Sequence, residues 1–338
     1  MSMVTLSPGL GTTTGGFHSR ISGIAGYRPE RVVTNDEVCE QIDSTDEWIR
    51  ERTGIRTRHR AAPDESVVDM SEVVARRAID HAGLTPSDID VVLLATVTHP
   101  YQTPAAAPEV AHRLGLTCMA IDISAACAGY CHGIGLASDM VRAGSAVNVL
   151  VIGVEKLSDF TDPTDRTIAF IFGDGAGAAV VSRSETPQIS PTVWGSAGDQ
   201  HRVISQDDSW VDVRHNPDIV FPTIKMQGQT VFRWAVWSVA KHAQETLDRA
   251  GITAGDLDVF VPHQANLRIV DSMVKTLGIP DHVTVARDIV TTGNTSAASI
   301  PLAMSRMLEE GEIASGDLAL QIGFGAGLAY AGQVVVVP

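Results

Sequence analysis

Two stretches of this chain repeat one another. AIDHAGLTPSDIDVVL (78–93) and TLDRAGITAGDLDVFV (246–261) lie 168 residues apart and share seven of sixteen positions. A duplication constrains a fold strongly, because each copy must build the same supersecondary unit. In the first copy Met70, Val73, Val74, Ala78 and Ala82 recur at helical spacing. The helix stops at a glycine suited to the left-handed C′ position. A polar turn follows, then a short apolar strand, VVLLATV in one copy and VFVPHQA in the other. Downstream, AIDISAACAGYCHGIGLASDMVRAG reads as strand, tight turn and helix before the strand NVLVIGVE, and VTTGNTSAASIPLAMSRMLEEG leads likewise to DLALQIGFGAG. An offset of 167 sets Cys127 opposite Asn294. Alternating helices and apolar strands predict layered α/β structure. The expected organisation is a flexible tail (1–16) and two similar halves, 17–185 and 186–338. Equivalent loops then meet at a seam, a natural place for a site.

Charge and length narrow the function. A formal charge of −15 over 338 residues argues against nucleic acid or an anionic membrane as a general partner. No apolar run approaches the ~20 residues that span a bilayer. The opening MSMVTLSPGLGTTTGG lacks the basic and apolar regions of a signal peptide, so a cytoplasmic location is expected. Four cysteines are too few for a disulfide scaffold.

Cys127 follows a strand-like run and precedes a helical one. At such a turn, helix N–H groups favour a thiolate and can also hold an oxyanion. The other reading is a buried structural cysteine. Cys131, one helical turn on, reads as packing, since no second Cys/His pair with zinc-like spacing exists. In VPHQAN (261–266), His263 and Asn266 sit at a predicted strand end, where α/β sites collect. Asn294, in TTGNTSAAS, reads equally as a turn residue or N-cap. FGDGAGAAVV (172–181) runs into an apolar strand and lacks dinucleotide spacing. GFGAG (323–327) brings backbone N–H groups within reach of a ligand.

Together these residues resemble the thiolase superfamily, and within it the β-ketoacyl-acyl carrier protein synthase III family of high-GC Gram-positive type. The blocks that carry the resemblance are STDEWIRERTGIRTR, DISAACAG, DPTDR, FGDGAGAA, VPHQANLRI, GNTSAAS and GFGAG, in that order from about residue 20 to the C-terminus. The resemblance implies a five-layered α/β/α/β/α fold from two duplicated halves and a homodimer. It implies a ping-pong reaction in which Cys127 takes an acyl group from acyl-CoA and malonyl-acyl carrier protein is then decarboxylated and condensed. His263 and Asn294 would hold the enolate, and the N–H groups of Cys127 and Ala326 the acyl-transfer oxyanion. Trp48 and Arg166 would sandwich the CoA adenine, with Arg52, Ala265 and Asn266 along the channel. Arg233, Arg268 and Lys275 would dock the carrier protein. Thr103, where some members carry Phe, implies a deeper acyl pocket, closed by this loop across the dimer. CoA thioester is a substrate here, so neither cofactor nor metal is expected. The alternative within the family is a priming ketosynthase or acyltransferase of a polyketide pathway.

Overall fold

The computed structural model describes residues 15–338, so the first fourteen residues of the expected tail lie outside the described part. Ten strands form two sheets. The first half contributes β1 (His18–Tyr27), β2 (Val91–Ala95), β3 (Met119–Ile123), β4 (Asn148–Glu155) and β5 (Gly175–Ser184). The second contributes β6 (Val193–Ser196), β7 (Val259–Pro262), β8 (Thr284–Val285), β9 (Leu318–Gly325) and β10 (Ala329–Val336). The first sheet runs β1-β5-β4-β2-β3 and the second β6-β10-β9-β7-β8. Adding five to each strand number turns one sheet into the other. The pairing directions also match, with β4, β2 and β3 parallel and β5 antiparallel to both its neighbours, and likewise in the second sheet.

Six helices complete the layers: α1 (Val67–His81), α2 (Ala106–Arg113), α3 (Gly129–Ala143), α4 (Ala240–Ala250), α5 (Leu267–Leu277) and α6 (Ser299–Glu309). Strand alternation dictates the stacking. Val91 and Leu93 of β2 join Ile134 of α3 and Ile300 of α6 in a central core that also holds Val259 and Val261 of β7. Val92 and Leu94 face the other way, onto Met70 and Val74 of α1. Phe260 of β7 turns outward in the same manner, onto Leu247 of α4 and Met273 of α5. The result is α/β/α/β/α, with α3 and α6 as the middle layer, as expected. Burying each large aliphatic side chain contributes roughly 1.5–3 kcal/mol, so the two-faced strands anchor all five layers.

Two excursions leave this frame. A hairpin of Arg31–Thr34 and Thr57–Arg60 carries the helix Asp46–Thr53 with Trp48. A second hairpin pairs Ile204–Gln206 with Ile224–Met226 and carries the helix Trp210–His215. Among the described residues no helix is long and apolar enough to cross a membrane.

Candidate active site

Between β3 and α3 the chain turns through Ala126, whose φ of 44° is left-handed, a conformation that costs an L-residue about 1–3 kcal/mol. The Ala128 N–H bonds the Ala125 carbonyl at 3.1 Å, and α3 then begins at Gly129. The second half makes the same turn. Ser296 has φ 48°, the Ala298 N–H bonds the Thr295 carbonyl at 3.0 Å, and α6 begins at Ser299. Cys127 therefore corresponds to Ala297, an offset of 170, and the expected pairing of Cys127 with Asn294 is three residues out of register. The cause is local: VTTGNT is not a strand but opens in the helical turn Ile289–Thr292, and β8 lies further upstream. Close packing fixes the register independently. A Cβ on Gly153 of β4 would fall 2.3 Å from the Ala297 carbonyl oxygen, and one on Gly323 of β9 would fall 3.1 Å from that of Cys127. Each turn thus leans on the central strand of the opposite half.

Cys127, His263, Asn294 and Ala326 line one cavity of about 560 Å³ at this seam. The His263 and Asn294 side chains are each held by one of their two polar atoms. The Ser296 N–H donates to Asn294 Oδ1 at 2.8 Å, which leaves the Asn294 amide hydrogens for the cavity. His263 Nδ1 lies 2.7 Å from Ser299 Oγ, and that oxygen also accepts the Gln264 N–H at 3.4 Å. Among the described residues Nδ1 is the acceptor that the Ser299 hydroxyl hydrogen reaches, so the hydroxyl is assigned as donor to Nδ1 and the hydrogen of the neutral ring to Nε2. Phe324 presses edge-on against the imidazole, with centroids 5.2 Å apart. The backbone of Asn294 is clamped as well, its N–H donating to the Ile171 carbonyl and its carbonyl accepting the Gly173 N–H. FGDGAGAA is thus a brace for the Asn294 turn, and its second part is β5.

Burial governs the electrostatics. It lowers His263 to about 3, so the ring is neutral across the working range. The helix start predicts a depressed thiol at Cys127, yet burial pushes it up to about 12, with the neighbouring Ser296 hydroxyl opposing the rise and the Glu155 carboxylate adding to it. The residue is only partly open to the cavity, and among the described residues no lysine or arginine lines the cavity to hold a thiolate. Cys131 is buried in the central core, again with a thiol pushed up to about 12.

The remaining expected residues divide into two groups. Trp48 packs edge-on against Phe170 at 5.5 Å and has the Arg52 guanidinium 5.9 Å from its ring, while Arg166 is exposed 3.8 Å from Asp43. Arg52, Arg233 and Arg268 converge with Phe232 on a cleft outside the cavity. Lys275, exposed in the last turn of α5, does not line it. Ala265 lines the main cavity. Asn266 has its amide committed: Oδ1 caps α5 at the Arg268 N–H (2.9 Å), and Nδ2 donates to the Arg52 carbonyl (3.1 Å). Thr103 is exposed and absent from the cavity lining, although residues 97–102 of the same loop contribute to it. The second hairpin supplies Gln206, Trp210, Phe221 and Met226 to one wall.

Four residues with roles here lay outside the sequence reading. Ser296 and Ser299 stand inside GNTSAAS yet carry no expected chemistry. Glu155 is the lone acid closing the otherwise apolar strand NVLVIGVE, a signal in itself, because a buried carboxylate needs a reason. Asp122 of DISAACAG accepts the Ala106 and Ala107 N–H groups at 2.9 and 2.8 Å, supplying the cap that α2 lacks.

Comparison with known proteins agrees with this geometry. The family described as 3-Oxoacyl-[acyl-carrier-protein (ACP)] synthase III matches residues 121–198, and its C-terminal counterpart matches residues 247–337. The β-ketoacyl-[acyl-carrier-protein] synthase III of Streptomyces glaucescens is 58% identical over 96% of this chain and 98% of its own. The mycobacterial enzyme of that name from Mycobacterium marinum is 52% identical over 97% and 98%. Among solved structures, the priming β-ketosynthase of the R1128 polyketide pathway superposes with a TM-score of 0.95 at 47% identity, covering 98% of this chain and 99% of its own. The 3-oxoacyl-[acyl-carrier-protein] synthase III of Aquifex aeolicus gives 0.87 at 36% identity, covering 94% and 99%.

Proposed function

Because the chain belongs to the β-ketoacyl-[acyl-carrier-protein] synthase III family, a family of condensing enzymes that initiate fatty acid synthesis, we propose how its own residues divide the reaction. Cys127 Sγ attacks the thioester carbonyl of an acyl-CoA primer, the N–H groups of Cys127 and Ala326 hold the oxyanion, and CoA leaves. Malonyl-acyl carrier protein then loses CO2. The enolate oxygen is held by His263 Nε2–H and the Asn294 amide, and its carbon attacks the acyl-enzyme to give 3-oxoacyl-acyl carrier protein. One observation carries this reading: His263 and Asn294 each have an acceptor atom pinned by a neighbouring group, so both turn a hydrogen-bond donor toward the cavity that holds Cys127. On the proposed division into halves 17–185 and 186–338, the first supplies the nucleophile and the second supplies those donors. No resident cofactor or metal enters the scheme.

Binding follows the same logic. Trp48 and Arg166 flank the CoA adenine, Arg52 takes its phosphate end, Ala265 borders the pantetheine channel, and Asn266 acts by holding Arg52. Arg233 and Arg268, with Lys275 further along α5, form the local basic patch that an acidic enzyme needs to attract an acidic carrier protein. Arg233→Ala and Arg268→Ala are each expected to raise KM for malonyl-acyl carrier protein roughly 3–10-fold at low salt and less at high salt, with kcat little changed. Steady-state kinetics at two ionic strengths reads this.

A homodimer completes the reading. β3 pairs with β2 along one edge only and exposes Met119 and Ile121, an edge that invites pairing with a second copy. Thr103 on the neighbouring loop would then border the partner's acyl pocket. Cytoplasmic residence is supported by four free thiols. A second reading, primer loading for a polyketide pathway, draws on the likeness to the R1128 priming ketosynthase.

Incubation with labelled acyl-CoA should place one acyl group on Cys127, located by peptide mass. Adding malonyl-acyl carrier protein should then discharge it as 3-oxoacyl product. No acyl-enzyme would sink the mechanism, and a label that persists would leave an acyltransferase. Comparing acetyl, isobutyryl and longer primers tests the pocket at Thr103.

A further inference from the structure

Cys127 holds its proton at rest, and acylation must remove that proton as the new S–C bond forms. His263 is poorly placed to take it, since the Ser299 hydroxyl keeps the ring hydrogen on Nε2, the atom that faces the cavity. A different acceptor lies beneath the thiol. The Ser296 hydroxyl lines the cavity with Cys127, on a turn packed against that of Cys127, and donates to Glu155 Oε1 at 3.1 Å, which leaves its oxygen free to accept. Glu155 is wholly buried at the end of β4. Its Oε2 takes three donors, Thr98 Oγ1 at 2.7 Å, the Val97 N–H at 3.1 Å and Thr96 Oγ1 at 3.2 Å. Those bonds occupy Oε2 and leave Oε1 with Ser296. The duplication adds a second argument. The offset of 170 that relates β4 to β9 sets Glu155 opposite Gly325, so this fold does not require an acid at the position. The half that carries the nucleophile has one, next to the turn that touches it.

We propose that Ser296 and Glu155 form a proton relay, which accepts the Cys127 thiol proton during attack on acyl-CoA and returns it after condensation. In acylation the S–H proton passes to Ser296 Oγ while the hydroxyl proton of Ser296 passes to Glu155 Oε1. The sulfur electron pair forms the bond to the acyl carbon, and the departing CoA thiolate takes a proton from water. In condensation the carbon freed by CO2 loss attacks the acyl carbon. Cys127 leaves as thiolate and recovers its proton from Glu155 through Ser296. One solvent proton is consumed per turnover, as the overall reaction demands. Ser296 touches the reacting sulfur, and Glu155 is a positioning residue that works through it.

The setting makes the relay readable by pH. Burial raises Glu155 to about 7 against the pull of its four donors. Cys127, pushed up to about 12, stays a thiol near neutrality, and His263, lowered to about 3, stays neutral. The other titratable groups facing this space are His99 and Tyr101, on the loop that carries Thr98, Asp159 on the cavity wall, and Lys156, whose Nζ turns away to the Ala62 and Pro63 carbonyls and to Asp159. The acceptor is the carboxylate, so acylation should quicken as pH rises through about 7, roughly tenfold between about pH 6 and pH 8.

The inference rests on the condensing reading above, and single-turnover CoA release on mixing with acyl-CoA tests it separately. Ser296→Ala places alanine where the equivalent turn already holds Ala126 at φ 44°, so the turn should survive. Ser296→Ala and Glu155→Gln should each slow acylation about 10²-fold and abolish the rise through neutrality. Glu155→Asp should restore part of the rate with a displaced limb. An unchanged profile in Ser296→Ala overturns the relay, as does a limb that persists in Glu155→Gln but vanishes in His99→Gln. If Glu155→Gln fails to fold, the Ser296→Ala profile alone decides for or against the relay. Wild type that forms no acyl-enzyme instead overturns the condensing reading itself.

Discussion

His263→Ala is expected to slow malonyl decarboxylation about 10²–10³-fold while transfer of the primer to Cys127 falls far less. The two half-reactions place charge on different atoms. Acyl transfer develops an oxyanion beside the N–H groups of Cys127 and Ala326. Decarboxylation develops one on the malonyl thioester oxygen, which His263 and Asn294 face. A donor matters most where charge appears in the transition state, and a buried site magnifies it. With burial holding the imidazole at about 3, His263 donates from a neutral ring, so this step should be flat with respect to His263 ionisation from about pH 5 upward. Asn294→Ala should cost a similar factor, and the double variant less than the product, because both donors serve one oxygen. CO2 release from malonyl-acyl carrier protein and CoA release from acyl-CoA, each in a single turnover, separate the steps. Equal losses in both would mean that His263 serves acylation too.

The duplication read from 78–93 and 246–261 led to the right architecture because its signal is physical: a helix, a left-handed glycine stop and an apolar strand recur in order. Its extension to the catalytic turns failed by three residues. The competing fact was invisible in the residues themselves, since VTTGNT carries the β-branched residues of a strand but opens in a helical turn, with Asn294 after it braced by Ile171 and Gly173. Cys127, His263 and Asn294 reach one cavity despite that error, because their placement depends on the seam and not on the register. The helix-start argument for Cys127 also failed, and for a general reason. A helix terminus offers about half a charge, whereas enclosing the sulfur away from any cation penalises the whole thiolate. Burial by distant residues is not written in the local sequence. Nor is the dual use of Ser296 and Ser299, which read as turn filler until their hydroxyls are seen against Glu155 and His263. Arg52 and Arg268 of the outer cleft stand in motifs and Arg233 entered only through the family resemblance, but their convergence needed the fold.

Gly325→Ala should be as damaging as removing a catalytic donor, with acylation of Cys127 reduced by about 10²-fold or more. A Cβ at this position would stand 2.7 Å from Cys127 Cβ, 2.8 Å from its Sγ and 3.2 Å from its backbone nitrogen. No flexible side-chain end is available to yield. The atoms in the way are the nucleophile and the N–H proposed to hold the oxyanion, both fixed by a turn already strained at Ala126. The methyl group must therefore displace the sulfur from line with the thioester or lift Gly325 and Ala326 from the oxyanion, and either shift misaligns reacting atoms. Gly255→Ala is a suitable comparison, since its nearest contact would be 3.5 Å, to Thr253 Oγ1 in an exposed turn. Acyl-enzyme formation followed by mass, with circular dichroism to confirm the fold, reads the difference. If Gly325→Ala acylates at the rate of wild type, the turn at Cys127 is more compliant than its packing implies, and the oxyanion donors must be sought elsewhere in the cavity.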